Sequence, residues 1–206
     1  MTTIVHFLRH GEVHNPEGIL YGRIPGYSLS GRGVAMAERI AEWAADHDIK
    51  AIHASPLTRA QETAAPIATQ LGLAVTTDER LIEASNVFEG ERFSVGDGVL
   101  RQPSAWRHLW NPFKPSWGEP YNEQVDRMLE AAQAARLAAS GHEAICVSHQ
   151  LPIWILRSSL EGRRFLHDPR RRECTLASLT SIVFNVDGQV TDVLYSEPAR
   201  DLLPKK

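Results

Sequence analysis

The sequence predicts a single α/β domain built on an open sheet. Three runs, at residues 4–8, 51–54 and 144–147, are short and apolar enough to be buried strands. Each run is followed by a segment whose apolar residues have helical spacing, and this alternation is typical of α/β folds. A chain of 206 residues with 43% hydrophobic residues can form one large domain or two small ones. We favour one domain spanning residues 1–206.

Composition and charge exclude several classes of protein. A formal net charge of -3 argues against a nucleic-acid-binding protein, which is usually basic. The two cysteines, Cys146 and Cys174, are too few for a disulfide framework, and Cys146 lies in an apolar run, which predicts a buried, reduced thiol. Residues 1–3 lead directly into the first strand, without the pattern of a signal peptide, and no apolar run is long enough to cross a membrane. We therefore expect a cytoplasmic protein without membrane partners.

The first strand ends at the residues around which the rest of the chain is organised. Arg9, His10, Gly11 and Glu12 follow the apolar run directly, and the glycine allows a sharp turn at that point. A cation and a nucleophile thus emerge together at the carboxyl end of a strand. In open α/β sheets this is the edge at which ligands bind.

The next two elements are a functional loop and a helix. Residues 13–26 form a long loop rich in Gly, Pro and Asn, and loops of this length inside a compact domain are often functional, so we expect it to fold back over the site. Ser30 is a candidate N-cap for the helix that follows. One apolar stripe of this helix is predicted to comprise Val34, Ala37, Ile40, Ala41 and Ala44.

The second strand is followed by a helix that carries a second candidate arginine near its start. A helix begins within residues 55–64, and Gly72 is its expected end. Arg59 lies in the first turns of this helix, where free backbone N–H groups and the helix dipole favour anions.

The remaining elements include a second strand that ends in a histidine. We expect a third strand at 73–76, a lid-like insertion around 91–120 within the same domain, and a helix from about 122 to 139. The inward side of that helix is predicted to carry Val125, Met128, Leu129 and Ala132. The run from 144 ends at His149, and the chain continues with a helix at 151–160 and a β-hairpin comprising 176–185 and 190–194 around an Asp187-Gly188 turn.

Four motifs in order resemble those of the histidine phosphatase superfamily, the phosphoglycerate-mutase-like proteins. They are Arg9-His10-Gly11-Glu12, Ser55-Pro56-Leu57-Thr58-Arg59-Ala60-Gln61-Glu62-Thr63-Ala64, Leu81-Ile82-Glu83 and Val147-Ser148-His149, with Gly118-Glu119 and Arg127 between the last two. Any one motif is weak, but four in order at compatible spacing are a strong signal. The resemblance covers about Ile4 to Leu160. It implies a three-layer α/β/α sandwich with a mostly parallel sheet, and phosphoryl transfer through a phosphohistidine without a metal or another cofactor.

The motif residues can supply what phosphoryl transfer requires. Neutral His10 can attack phosphorus, and Arg9 and Arg59 can compensate the charge on the equatorial oxygens. His149 is expected to donate a further charged hydrogen bond. Glu83 is expected to protonate the leaving oxygen and then to accept a proton from water, which requires a raised pKa. By the same resemblance, the residues that line the phosphate or substrate are Asn15, Tyr21, Gly22 and Gln150.

Other residues have alternative interpretations. His10, His14 and His149 could suggest a metal site, but the trio lacks a familiar ligand spacing, so we predict no metal. Glu12 is more often a group that holds arginines than a catalytic one, and Glu89 is the nearest competitor of Glu83. The basic cluster is either a solvated face or an attraction for anionic substrates, and it comprises Arg163, Arg164, Arg170, Arg171 and Arg172.

Three positions depart from the common family pattern. The spacing from His10 to Asn15 is one residue shorter, Pro120 replaces a serine, and Gln150 places a bulky side chain where many members have glycine. None of these departures removes a catalytic group, so we expect an active enzyme with a distinctive pocket.

The sequence favours a phosphatase of small phosphomonoesters over a mutase, because the similar mutases are generally longer before the final histidine. A sugar phosphate, a phosphoglycerate-like acid and a nucleotide-derived phosphate all remain open as substrates. A binding module without turnover and a metal-dependent hydrolase are the alternatives from other classes. The terminal hairpin could cap a sheet edge or pair with a second chain in a homodimer.

Overall fold

The computed structural model describes residues 1–91, 118–165 and 172–204, together with the backbone of two short strands inside the segment between the first two ranges. These described residues contain four α-helices: α1 (Gly31–Ala45), α2 (Thr58–Leu71), α3 (Tyr121–Ala138) and α4 (Gln150–Leu160). The strands are β1 (Thr3–Arg9), β2 (Ile49–Ala54), β3 (Val75–Thr77), β4 (Phe93–Ser94), β5 (Asp97–Gly98), β6 (Glu143–Ser148), β7 (Leu179–Phe184) and β8 (Val190–Ser196). Short 3₁₀ helices occupy Glu79–Leu81 and Arg200–Leu202.

The central sheet has the strand order β3-β2-β6-β1-β7-β8. The pairs β3-β2, β2-β6 and β6-β1 are parallel, whereas β7 runs antiparallel to β1 and β8 antiparallel to β7. Thus β6 lies between the first two strands of the chain. In the register Arg9 is opposite Ser148, and Ala54 is opposite Val147. The carboxyl ends of β1, β6 and β2 are therefore level with one another at one edge of the sheet.

Helices cover both faces of this sheet. Leu8, Ile145 and Val147 point to the face on which α1 and α2 pack. Their neighbours along the strands point to the opposite face, where α3 and α4 pack, because successive side chains of a strand alternate. The arrangement is the expected three-layer α/β/α sandwich with a mostly parallel sheet, and the fold prediction is confirmed.

Most predicted elements are present, with small shifts at their ends. Gly72 caps α2 in the left-handed conformation at φ 65°, as predicted. The terminal hairpin forms as β7 and β8. The lid prediction for 91–120 falls mainly on residues outside the described part of the chain. No described helix is long and apolar enough to cross a membrane.

Two side chains that were expected to point inward are exposed. Val34 is 46% exposed and Leu129 is 37% exposed, so both predictions are wrong. The buried stripe of α1 instead runs through Gly33 and Met36, which places Val34 at its margin. In α3 the stripe turns similarly toward Gln124 and Ala131 and leaves Leu129 at the margin. Helical periodicity identifies which side of a helix is buried, but it does not identify which residues at the margin of that side are exposed.

Candidate active site

The ends of two neighbouring strands bring His10 and His149 together. His10 follows β1 and His149 follows β6, and the backbone N–H of His10 donates to the carbonyl of Ser148 at 3.1 Å. The ring centroids are 5.2 Å apart and both side chains are buried. The pairing therefore follows from the parallel register of the two strands.

His10 has one ring nitrogen engaged and one left for chemistry. Its Nδ1 lies 2.8 Å from the carbonyl oxygen of Gly11. A carbonyl can only accept, so Nδ1 carries the proton and Nε2 carries the lone pair in the neutral ring. Burial holds the pKa of His10 well below its ordinary value, and the charges of Arg9 and Arg59 lower it further. The imidazole is thus neutral and nucleophilic at neutral pH.

Two arginines accompany this histidine, Arg59 buried and Arg9 partly buried. Nη1 of Arg9 donates to the carbonyl of Cys174 at 2.7 Å, and Nη2 of Arg59 donates to the carbonyl of Gly22 at 2.7 Å. The Arg59 guanidinium also lies 4.7 Å from the ring centre of Tyr21. Among the described residues, the buried Nε atoms of Arg9 and Arg59 have no hydrogen-bond partner. The oxygens of a phosphoryl group could act as acceptors for such nitrogens.

His149 has a similar unpaired nitrogen. Its Nε2 lies 2.8 Å from the hydroxyl of Ser55, while its buried Nδ1 finds no partner in the described part of the chain. Burial, followed by the charges of His10 and Arg59, keeps the pKa of His149 well below its ordinary value. An anion bound beside it would favour the protonated, donating form.

Glu83 is held just after the first 3₁₀ helix. The hydroxyl of Ser148 donates to the carbonyl of Leu81 at 2.7 Å, which fixes this segment to the end of β6. One carboxylate oxygen of Glu83 accepts from the N–H of Ala84 at 2.8 Å. Burial raises the pKa of Glu83 against the opposing effects of that N–H and of the nearby arginines, led by Arg59. The group is therefore protonated more readily than a surface glutamate.

Two arginines and Glu119 form an ion network that contacts the backbone of Glu83. Nε of Arg23 donates to the Glu83 carbonyl at 2.6 Å, and its Nη2 donates to Glu119 at 3.0 Å. Arg127 donates to the same carboxylate at 2.6 Å and 2.9 Å. Sequence reasoning missed Arg23, because no local pattern distinguishes it from any other loop arginine.

The motif at residues 55–64 also fixes the position of the motif at residues 9–12. The hydroxyl of Thr63 accepts from the N–H of Gly11 at 3.1 Å and donates to the Arg59 carbonyl at 2.7 Å. Glu62 accepts from the N–H of Leu29 at 2.6 Å and so anchors the long loop. The motif residues around Arg59 thus fix the position of the His10 turn as well as supplying a cation.

The predicted substrate-lining residues lie around this centre in different ways. The amide of Asn15 makes hydrogen bonds of 2.8 Å and 3.0 Å with the backbone of Ile19, inside the loop. Tyr21 stacks on Tyr27 with ring centroids 5.0 Å apart and lies against Arg59. Gln150 donates to the Cys174 carbonyl at 3.2 Å. Substrate contacts of Asn15, Tyr21, Gly22 and Gln150 remain predictions.

The other candidate residues have local contacts. Glu12 accepts from the hydroxyl of Ser30 at 2.6 Å and from Arg32 at 2.9 Å, so it joins the first turn to α1 and holds an arginine, as expected. Glu89 accepts from the N–H of Asn86 at 3.2 Å. No group of three metal-ligating side chains occurs among the described residues.

The structure divides the basic cluster. Arg163 pairs with Glu161 at 2.7 Å, and its guanidinium lies 6.0 Å from the ring centre of Trp154. Nη1 of Arg172 instead lies 3.5 Å from the amide oxygen of Gln150, the residue after His149. Arg170 and Arg171 lie outside the described residues. The sequence contained no signal that would distinguish Arg172 from its neighbours.

A neutral, buried histidine between two arginines at the edge of an α/β sheet defines a site for transferring anionic groups. The model of the histidine phosphatase superfamily (branch 1) matches residues 5–196, and the chain belongs to this family. The family and its relatives comprise phosphatases and mutases, which supports a phosphoryl-transfer enzyme.

The chain is also similar to individual proteins and solved structures. Uncharacterized protein Rv0525 of Mycobacterium tuberculosis is 58% identical over 197 residues, covering 96% of this chain and 97% of the relative. The Probable phosphoglycerate mutase GpmB of Serratia proteamaculans is 29% identical over 182 residues, covering 84% and 82%. The structure of phosphoserine phosphatase from Entamoeba histolytica, in complex with 3-phosphoglyceric acid, aligns with a TM-score of 0.76 at 19% identity, covering 98% of this chain and 100% of that one. At that identity the last likeness concerns the fold alone.

Proposed function

We propose that the protein is a metal-independent phosphatase that hydrolyses small phosphomonoesters through a phosphohistidine on His10. The observation that carries this proposal is the hydrogen bond of 2.8 Å between Nδ1 of His10 and the Gly11 carbonyl. It directs the lone pair of a neutral imidazole onto Nε2, in a site that also holds Arg9 and Arg59.

In the first step Nε2 of His10 attacks phosphorus, and the bond between phosphorus and the ester oxygen breaks. Glu83 donates its proton to that leaving oxygen, and its raised pKa makes the acid form accessible. Arg9, Arg59 and protonated His149 compensate the charge of the transferred group.

In the second step water attacks the phosphorus of phospho-His10. The carboxylate of Glu83 accepts a proton from this water, inorganic phosphate leaves, and His10 returns to its neutral form. Glu83 therefore ends the cycle protonated, as it began. The partner that this cycle requires is a small phosphate ester.

A mutase is the second candidate, because it uses the same phosphohistidine and a relative bears that name. In a mutase a hydroxyl of a second substrate, instead of water, receives the phosphoryl group. The comparatively short segment before His149 supports hydrolysis.

The test is phosphate release from a panel of phosphomonoesters in the presence of a chelator, by the native protein, His10→Ala and His14→Ala. We expect native activity to survive the chelator and His10→Ala to lose at least about 10³-fold in kcat. His14 is exposed and close in sequence, so His14→Ala is the matched control and should keep its activity.

The alternatives give different results. Undiminished hydrolysis by His10→Ala would refute the phosphohistidine, and loss of activity with chelator would indicate a metal-dependent hydrolase. Interconversion of 2- and 3-phosphoglycerate without phosphate release would indicate the mutase. Binding of phosphate without any turnover would indicate a silent binding module.

A further inference from the structure

Arg23 lies in the long loop after β1 and contacts the segment that carries the proposed general acid. Its Nε donates to the backbone carbonyl of Glu83 at 2.6 Å, across 60 positions of the chain. Its Nη2 donates to the carboxylate of Glu119 at 3.0 Å. One guanidinium therefore joins the loop both to the backbone of Glu83 and to a second, largely buried carboxylate.

The carbonyl that Arg23 holds belongs to the peptide group that also orients the Glu83 carboxylate. A peptide group is planar, so the carbonyl of Glu83 and the N–H of Ala84 move together. That N–H donates to one oxygen of the Glu83 carboxylate at 2.8 Å. A charge-assisted bond to the carbonyl polarises the peptide group and strengthens its N–H as a donor. Arg23 thus acts on the carboxylate through the backbone.

The Arg23 guanidinium is itself held by a fixed partner. Arg127 of α3 donates to both oxygens of Glu119, at 2.6 Å and 2.9 Å, and such a bidentate pair has a defined geometry. Only 15% of the Arg127 side chain and 12% of the Glu119 side chain are exposed. The backbone N–H of Glu119 also donates to the carbonyl of Ser85 at 3.2 Å. The loop, the acid segment and α3 therefore meet at Glu119.

The residue before Arg23 contacts the other half of the site. The carbonyl of Gly22 accepts from Nη2 of Arg59 at 2.7 Å. Gly22 has a φ of 38°, and a Cβ at this position would overlap the carboxylate of Glu89, so the backbone is closely packed here. Two consecutive loop residues therefore link a candidate phosphate-binding arginine to the acid segment.

We infer that Arg23 is a positioning residue for Glu83: it holds the peptide group that orients the carboxylate for proton transfer to the leaving oxygen. This inference rests on the proposed function, because it requires Glu83 to be the general acid. Loss of Arg23 should then impair proton transfer and leave the nucleophile and phosphate binding in place.

The test compares hydrolysis of glycerol 3-phosphate and p-nitrophenyl phosphate by the native protein, Arg23→Met, Arg23→Gln and Arg39→Met. The alkoxide of the first ester needs a proton to leave, whereas p-nitrophenolate leaves without one. Arg39 is the matched control, because its side chain is 38% exposed against 35% for Arg23, and it pairs with Asp201 at 2.8 Å. Its replacement removes the same charge from α1.

We expect both Arg23 variants to lower kcat for glycerol 3-phosphate about ten- to a hundredfold, because a misplaced acid transfers its proton poorly. The KM of both esters and kcat for p-nitrophenyl phosphate should change less than about threefold. Arg39→Met should match the native protein. Retained hydrolysis of p-nitrophenyl phosphate shows that each variant is folded.

A double variant determines whether Arg23 acts through Glu83. In Glu83→Gln the acid is already absent, so adding Arg23→Met should reduce hydrolysis of glycerol 3-phosphate by less than about threefold further. Losses that multiply in the double variant would overturn the inference, because Arg23 would then act independently of Glu83. An equal loss of kcat for both esters in the Arg23 variants would also overturn it.

The titration of Glu83 gives a measurement that does not depend on turnover. The N–H of Ala84 lowers the pKa of this carboxyl, so release of the peptide group should raise it. NMR of protein labelled with ¹³C-glutamate follows the carboxyl resonance, which is assigned by its absence in Glu83→Gln. We expect a higher pKa in Arg23→Met than in the native protein and in Arg39→Met. Other charged groups that lower this pKa stay in place in these variants, and they are Arg59, Arg9 and Arg172.

The two kinds of measurement separate the inference from the proposed function. A native protein that hydrolyses no ester, with the pKa of Glu83 raised only in the Arg23 variants, refutes the phosphatase and leaves the control of this carboxylate by Arg23 intact. Hydrolysis of both esters with unchanged kcat and an unchanged pKa of Glu83 in the Arg23 variants refutes the inference and leaves the phosphatase intact.

Discussion

Glu83 is the residue whose role depends most on its surroundings. A surface glutamate is ionised at neutral pH and cannot act as an acid, whereas burial raises the pKa of this one. The nearby arginines oppose the shift, and in the proposed mechanism the incoming phosphate dianion offsets their charge. Substrate binding therefore favours the protonated form that the first step needs.

Replacing Glu83 by glutamine should affect substrates according to their leaving groups. For an alkyl phosphate, whose alkoxide needs a proton, we expect kcat/KM to fall about 10²- to 10⁴-fold in Glu83→Gln. For p-nitrophenyl phosphate, whose phenolate leaves without one, the loss should be below about tenfold. Steady-state kinetics with both esters measures this difference.

The pH profile provides the control for this prediction. In the native protein kcat/KM for the alkyl ester should decline as pH rises through the raised pKa of Glu83, because the acid form is lost. Glu83→Gln should lack this decline. An equal loss for both esters would mean that Glu83 positions the substrate and does not transfer a proton.

At the scale of elements, the turn after β1 and the start of α1 touch through two glycines. A Cβ at Gly11 would lie 2.6 Å from the carbonyl oxygen of Gly33, and a Cβ at Gly33 would overlap the carbonyl oxygen of Glu12. Ser30 caps α1 by accepting from the N–H of Gly33 at 3.0 Å and donates to Glu12. The position of His10 is thus set in part by how closely α1 approaches.

Two alanine substitutions in the first turn of α1 should have opposite effects. Gly33→Ala should destabilise the fold by about 2 kcal/mol or more and reduce activity, because the overlap involves backbone that cannot move freely. A Cβ at Gly31 would meet no heavy atom within 4 Å, so Gly31→Ala should stabilise by about 0.4–1 kcal/mol. Urea unfolding of both variants measures the difference, and equal stabilities would contradict the close approach.

At the scale of the whole molecule, the buried histidines couple stability to pH. The pKa values of His10 and His149 lie well below the ordinary 6.5 in the folded state. The unfolded chain therefore binds protons first as pH falls through about 6.5, and folding becomes less favourable. Each histidine contributes about 1.4 kcal/mol per pH unit until its own folded pKa is reached.

Comparison of variants isolates this contribution, because Glu83, with its raised pKa, acts in the opposite direction. Between pH 7.5 and 5.5 the free energy of unfolding of native protein should fall more steeply than that of His10→Gln, by up to about 1.4 kcal/mol per pH unit. Urea titrations at both pH values measure it. Parallel slopes would show that His10 binds a proton in the folded state as readily as in the unfolded chain.

The sequence predicted most reliably the site residues that directly follow a buried strand. The apolar runs before His10 and His149 predicted the two strands, and the parallel pairing that the structure shows between these strands brings the two histidines together. Arg23 and Arg172 could not be found in this way. The contact of Arg23 with Glu119 joins residues 96 positions apart, and only the folded chain brings them together. The exposure of Val34 also could not be predicted from the sequence, because it depends on how α1 packs against the rest of the fold.

The place of β6 between β1 and β2 has a consequence for biosynthesis. During translation the chain emerges with its two earliest strands first, and neither can complete its pairing until residues 143–148 arrive to separate them. Before these residues pair, His149 does not lie beside His10, and the site around Arg9 and Arg59 is incomplete. Parallel pairing over such a distance along the chain also slows folding. A fragment that ends before residue 143 lacks His149, so the proposed site can be complete only after the last third of the chain has joined the sheet.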